Sequence, residues 1–301
     1  MRGSVLLGVS YLLLAVFLIA IVLRTIRLAR LPVHLRWELA PVPHEGRRSR
    51  YGGSYFEEYE WWLHPRSKSL VSELAYMTQE IVFLRAVWEH NRSLWWFSFP
   101  LHVGLYLLIV AGGLLLLTGL AGVVGLGWSG AAVATSWLAG AGYLLGGLGA
   151  VGLLGRRVLD RQLAAYTTRE SWLNLGLLTM LFGSGLLALV STDGYVAEAG
   201  SYLRALATGD GSLTLPALLT LHLLVMLVFL AWLPFSKMMH FVAKYFTYHQ
   251  VRWDDAPVQR GSHMEHELEQ LLQQPVTWGA AHIGADGKRN WVEIASGEVR
   301  R

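Results

Sequence analysis

The chain has 301 residues, of which 53% are hydrophobic and only 15% charged, against roughly 25% charge in soluble globular domains. The absence of cysteine excludes disulfides, thiolate zinc sites, an iron–sulfur cluster of the chain's own and covalently attached c-type haem. The net charge of +4 sits in connections between long uncharged runs, which argues against nucleic-acid binding and for an integral membrane protein.

Five apolar runs are each long enough to cross a hydrocarbon core of roughly 30 Å. They predict an all-α fold, an integral membrane bundle of five transmembrane helices. The first run, Ser4–Leu23, reads as a retained anchor occupying 1–24. It lacks a small-residue cleavage site and is followed by Arg24, Arg27 and Arg30. The connection 25–93 is long for a loop and therefore a functional candidate. It holds a turn-rich Pro41–Gly53 and an amphipathic helix expected from about Ser69 to Glu89. The apolar face of that helix carries Leu70, Leu74, Met77, Ile81, Leu84 and Trp88, and fits either membrane lipid or a soluble partner.

Residues 94–249 contain the other four spans: Leu94–Leu120, Ala131–Gly155, Ser171–Ser191 and Leu213–Phe235, the last continuing past Pro234 toward Tyr245. The third span is rich in glycine (Gly140, Gly142, Gly146, Gly147, Gly149), which lets helix backbones approach closely in lipid. Gly176, Gly183 and Gly185 in the fourth suit either close packing or a flat cofactor. The tail, 250–301, shows a short helical pattern at Met264–Leu272 and a turn at Asp286–Gly287, and is small for a domain of its own. Lysine and arginine orient the bundle: 23 of the 25 fall in 24–94, 156–169 and the segment after Pro234. The N-terminus is therefore expected outside and the C-terminus in the cytoplasm.

Ionisable residues inside spans are costly and mark function by default. Of eleven histidines, three fall there: His102 near the inner end of the second span, His222 in the outer half of the fifth, and His240 near its inner end. His222 and His240 are 18 residues apart, which on a straight helix is one face and about 27 Å. They serve different depths. His102 and His240 instead share a depth and can clamp the iron of a non-covalent b-type haem, with Gly104 easing the approach of the ring. No second histidine lies between 103 and 221, so His222 reads as a hydrogen-bonded core residue, or as a quinone contact or proton relay with Asp193. Met180 would be the remaining ligand for an outer haem.

Other signals are weaker. His263 and His266 have i,i+3 spacing but no third ligand, and His90 and His249 could pair just inside the membrane. Tryptophans such as Trp61, Trp62, Trp95, Trp96, Trp128 and Trp232 suit aromatic belts at the membrane interfaces.

The run Phe99-Pro100-Leu101-His102-Val103-Gly104-Leu105 resembles the proximal-haem segment of the respiratory nitrate reductase gamma-subunit family. Leu154-Gly155-Arg156-Arg157 with Thr167-Thr168, Leu221-His222, and Leu233-Pro234-Phe235-Ser236-Lys237-Met238-Met239-His240 are similar to its later segments, over roughly 95–250. The segments Arg36-Trp37-Glu38, Pro43-His44-Glu45 and Pro275-Val276-Thr277-Trp278 resemble a branch allied to sulfite-reduction and heterodisulfide-reductase-type complexes. The resemblance implies a b-type cytochrome of a prokaryotic cytoplasmic membrane, passing electrons between quinone and a cytoplasmic iron–sulfur partner and not catalytic alone. It implies His102 and His240 as axial ligands of an inner haem b. The family's second histidine in this helix falls on Gly112, so one haem is expected, and a second would have only His222. The rival expectation is a haem-free membrane anchor or scaffold subunit. A transporter ranks last, because no midplane charge accompanies His222.

Overall fold

Lipid offers no partner to a bare N–H or carbonyl, so apolar runs of this length must satisfy their backbones within helices. A computed structural model describes residues 2–30, 57–64, 69–123, 129–248 and 259–297. It is all-α apart from one short strand pair, with five helices long and apolar enough to cross a membrane. These are α1 (Gly3–Ala29), α4 (Arg92–Val123), α5 (Ser129–Leu159), α7 (Arg169–Ser191) and α9 (Ala217–Trp232). Shorter helices connect them: α2 (Leu70–Val82), α3 (Arg85–His90), α6 (Arg161–Ala165) and α8 (Tyr195–Thr208). Less than half of each span is buried within the protein. The remaining leucine, valine and isoleucine surface needs lipid against it.

The chain divides into two compact units. The first comprises Met1–Arg24 and Ala75–His240. Its core is built where α4, α5, α7 and α9 pack together, around Ala150, Phe182, Ala188, Leu219 and Leu227, none of which has any exposed surface. The close approach expected at the glycine-rich third span is present: an added Cβ at Gly149 would stand 2.5 Å from Leu101 N, and at Gly152 2.0 Å from Phe97 Cδ1. Glycine here is what lets α4 and α5 touch backbone to backbone.

Three local features depart from the sequence expectations. The amphipathic helix expected over 69–89 is broken in two at Leu84, which adopts a left-handed φ of 51° ahead of α3. Trp95 Nε1–H donates to Phe83 O (2.8 Å) and the Tyr106 hydroxyl to Ile81 O (2.6 Å), tying the end of α2 to α4 at the break. Between the fourth and fifth spans an unexpected helix, α8, packs on α4. Tyr202 OH on α8 donates to Ser10 Oγ of α1 (2.8 Å), and Tyr11 OH donates back to Leu206 O (2.6 Å). The fifth span, finally, does not continue as one α-helix past Pro234. It passes through two 3-10 turns, Leu233–Phe235 and Lys237–Met239, before α10 (His240–Tyr248).

The second unit comprises Thr25–Leu74 and Phe241–Arg301. Its described part includes α11 (His263–Leu272), an antiparallel pair β1 (Gly279–Ala280) and β2 (Ala285–Asp286), and α12 (Trp291–Ser296). Ser262 caps α11 and an Asn290–Glu293 capping box opens α12. Val276 and Ala285 are buried. In the turn after β2, the backbone N–H groups of Arg289 and Lys288 hold the Asp286 carboxyl below the usual carboxylate range.

Candidate functional site

His102 lies on the third turn of α4, and its position is set by the glycine-mediated contact of α4 with α5. Gly104 serves that contact and not a cofactor: a Cβ there would lie 2.4 Å from Gly146 N and 2.6 Å from Gly142 O. The expectation that Gly104 eases the approach of a ring is therefore corrected. His240 is placed by the break in the fifth span. Pro234 has no N–H to continue the α-helical ladder, and Ser236 then caps the second 3-10 turn by accepting from Met238 N–H at 3.1 Å. Lys237 N–H donates to Glu170 Oε1 of α7 at 2.5 Å, pinning the turn that ends at His240. The straight-helix argument for His222 and His240 thus fails over Leu233–Met239, although the two do occupy different levels.

The structure brings His102 and His240 together. Their ring centres are 6.3 Å apart with planes inclined at 67°. His102 Nδ1–H donates to Ser98 O (2.7 Å) and His240 Nδ1–H to Lys237 O (3.1 Å), since a carbonyl can only accept. In the neutral imidazole this leaves the lone pair on Nε2, the arrangement in which a backbone carbonyl orients a metal-binding imidazole. With metal–nitrogen bonds of about 2 Å and each nitrogen about 1 Å from its ring centre, one ion between two imidazoles puts the centres about 6 Å apart. The observed separation meets that requirement. His240 is exposed and His102 half-buried, which suits a broad planar group entering from the side. The residues present fit a bis-imidazole haem.

His222 occupies a different environment, on α9 one turn from its start. It is 3% exposed, and both ring nitrogens are engaged. Ser184 Oγ of α7 lies 3.1 Å from Nδ1 and Tyr143 OH of α5 lies 2.8 Å from Nε2. Tyr143 OH in turn lies 2.8 Å from Tyr195 OH, on the first turn of α8. Burial holds the Tyr195 phenol above its ordinary value, so it stays protonated at neutral pH. Gly185 makes room for the ring of Tyr143, since a Cβ there would meet Tyr143 Cε1 at 2.2 Å. At Gly185 the close-packing reading therefore applies, whereas Cβ atoms at Gly176 and Gly183 would enter open space. The partners suggested by the sequence are elsewhere: Asp193 is exposed and Met180 is 52% exposed. The sequence reading missed Tyr143, Ser184 and Tyr195, because a hydroxyl in an apolar run carries no periodic signal. The rarity of polar atoms in these spans was the available clue.

Among the described residues no group of three or more His, Asp or Glu side chains converges on a metal position. His263 and His266 instead face Glu267 and Glu269, at 3.6 and 3.4 Å. His90 ends α3 on the surface. His249, its suggested partner, lies outside the described residues, as do Pro41–Gly53, Arg36-Trp37-Glu38 and Pro43-His44-Glu45.

The family model described as nitrate reductase gamma subunit matches residues 87–254. That stretch contains His102, His222 and His240 together with all of α4 to α10. No curated protein and no solved structure matches the chain.

Proposed function

Because the chain belongs to the nitrate reductase gamma-subunit family, a family of membrane b-type cytochrome subunits of respiratory complexes, we propose that it carries electrons between the quinone pool and a cytoplasmic iron–sulfur protein. The ligands of its haem b are His102 and His240. The observation that carries this reading is the pair of rings 6.3 Å apart with both Nδ1 atoms turned to backbone carbonyls. Bound between them, a haem supplies one-electron redox chemistry at a potential tuned by its axial ligands. The protein's own part is to hold and orient. Ser98 O and Lys237 O fix the two imidazoles, and the α4–α5 glycine contact and the Glu170–Lys237 bond fix the elements that carry them.

One haem per chain follows from one such pair. The nitrogens of His222 are taken up by hydroxyls, which fits a role toward quinone better than ligation of an outer haem. The chain has no cysteine, so the iron–sulfur clusters that receive or deliver electrons belong to a partner. The long first connection and the tail are its docking region, and their segments support a reading in the branch allied to sulfite-reduction and heterodisulfide-reductase-type complexes. The membrane is the cytoplasmic membrane of a prokaryote.

A visible spectrum and pyridine haemochrome assay of the purified full chain test the reading. One protohaem per polypeptide is expected, lost in His102→Ala and in His240→Ala. A chain without a Soret band, or with a band indifferent to both substitutions, is the haem-free anchor instead.

A further inference from the structure

Three buried side chains and one half-buried serine on four helices form one continuous hydrogen-bonded line: Ser184 of α7, His222 of α9, Tyr143 of α5 and Tyr195 of α8. Nothing in a haem site at His102 and His240 requires it. The line lies toward the other end of the bundle, because α8 packs against the far part of α4, where an added Cβ at Gly119 would lie 3.3 Å from Leu203. Burying three hydroxyls and an imidazole in a membrane protein is costly unless each is satisfied. Here His222, Tyr143 and Tyr195 are satisfied within the line, and Ser184 Oγ also reaches Leu181 O of its own helix at 3.3 Å. Every member is also amphoteric: a hydroxyl both donates and accepts, and a neutral imidazole accepts on one nitrogen and donates from the other.

We propose that Ser184, His222, Tyr143 and Tyr195 form a proton relay joining a quinol bound at the lipid-exposed side of α7 to the aqueous face at α8. This rests on the quinone chemistry proposed above. The entrance is Ser184, which is half-buried and lies beside exposed Gly183 and one turn from exposed Leu187 and Met180. The exit is Tyr195 at the start of α8, next to exposed Asp193 and Gly194. Three residues before Tyr195, the buried Thr192 Oγ1 has no hydrogen-bond partner among the described residues, a polar group that the fold leaves available to a ligand or solvent oxygen.

Oxidation of a quinol to a quinone releases two electrons and two protons. The electrons leave one at a time to the one-electron acceptor named above. For each proton, the quinol O–H protonates Ser184 Oγ as the serine hydroxyl protonates His222 Nδ1. The Nε2 proton passes to the Tyr143 oxygen, the Tyr143 proton to the Tyr195 oxygen, and the Tyr195 proton to water. One proton enters, one leaves, and no member keeps a charge. The line then holds the opposite hydrogen-bond polarity, and rotation of the hydroxyls with exchange of the imidazole tautomer resets it. Quinone reduction runs the same steps backward.

Two measurements on the full haem-loaded chain in lipid nanodiscs test the relay. Infrared difference spectra with ring-labelled tyrosine, recorded on adding decylubiquinol or a short-chain menaquinol, need no electron transfer. A shift of the tyrosine C–O stretch is expected, and its loss in Ser184→Ala. The absence of a shift, or one that survives Ser184→Ala, overturns the proposal. Stopped-flow reduction of the haem by the same quinol is the second. Tyr195→Phe keeps the ring and should slow it roughly a hundredfold, the scale of a positioned proton-transfer group, while reduction by dithionite stays at the wild-type rate. Equal quinol rates in wild type and Tyr195→Phe also overturn it. A wild type with no Soret band defeats the electron-transfer reading instead, and the infrared result then decides the relay alone.

Discussion

At the scale of single residues, the two histidine environments differ in what their ring nitrogens meet. At His102 and His240 a carbonyl takes each Nδ1–H, and the paired rings stand at metal-clamping distance. At His222 hydroxyls take both nitrogens. Glycine separates the roles of neighbouring positions just as sharply. Gly104 is closed off by the backbone of Gly142 and Gly146, whereas Gly112 on the same helix has nothing within 4 Å of an added Cβ. Overpacking a close helix contact costs about 1–3 kcal/mol. Gly104→Ala should therefore lower the thermal midpoint of the detergent-solubilised protein, while Gly112→Ala leaves it nearly unchanged. Equal midpoints for the two variants would show that α4 and α5 are not held backbone to backbone.

At the scale of elements, the breaks in helices matter as much as the helices. Pro234 converts the end of the fifth span into 3-10 turns whose Ser236 cap and Glu170 anchor deliver His240 to its position. Leu84 divides the amphipathic segment and leaves Leu70, Val71 and Leu74 more than half exposed, a surface that fits lipid or a partner subunit. The α8 helix is the least expected element, and it is held at both ends of a reciprocal pair of bonds to α1. Removing one buried hydroxyl–hydroxyl bond costs about 0.5–1.5 kcal/mol. Tyr202→Phe should accordingly raise amide exchange across α8 by several-fold without changing exchange in α7, measured by hydrogen–deuterium exchange in nanodiscs. Uniform exchange in α8 before and after would mean that its packing on α4 alone holds it.

For the whole molecule, the distribution of charge predicts orientation. With 23 of 25 basic residues in the connections and tail assigned to one side, a C-terminal tag should be reached by protease only from the cytoplasmic face, and a cysteine placed at Gly209 only from outside. Reversed accessibility would invert the topology and the direction of the relay with it. Hydrophobic length alone marked the five spans, because the bilayer leaves a 20-residue apolar run no alternative to a helix. The spacing of three histidines marked the candidate ligands for the same reason, since so few polar groups can be afforded inside lipid. Sequence did not reveal α8, whose short amphipathic pattern lies in a connection, nor the break at Leu84, which depends on Trp95 and Tyr106 reaching back to Phe83 and Ile81. It also assigned Gly104 to the approach of a ring, where the backbone of a neighbouring helix lies against it. Those matters were decided by which helix lies against which, a long-range outcome that a local pattern of apolar residues does not contain. The same is true of Tyr143, Ser184 and Tyr195: each is an ordinary residue on its own helix, and only the packing of four helices places their hydroxyls on one imidazole line.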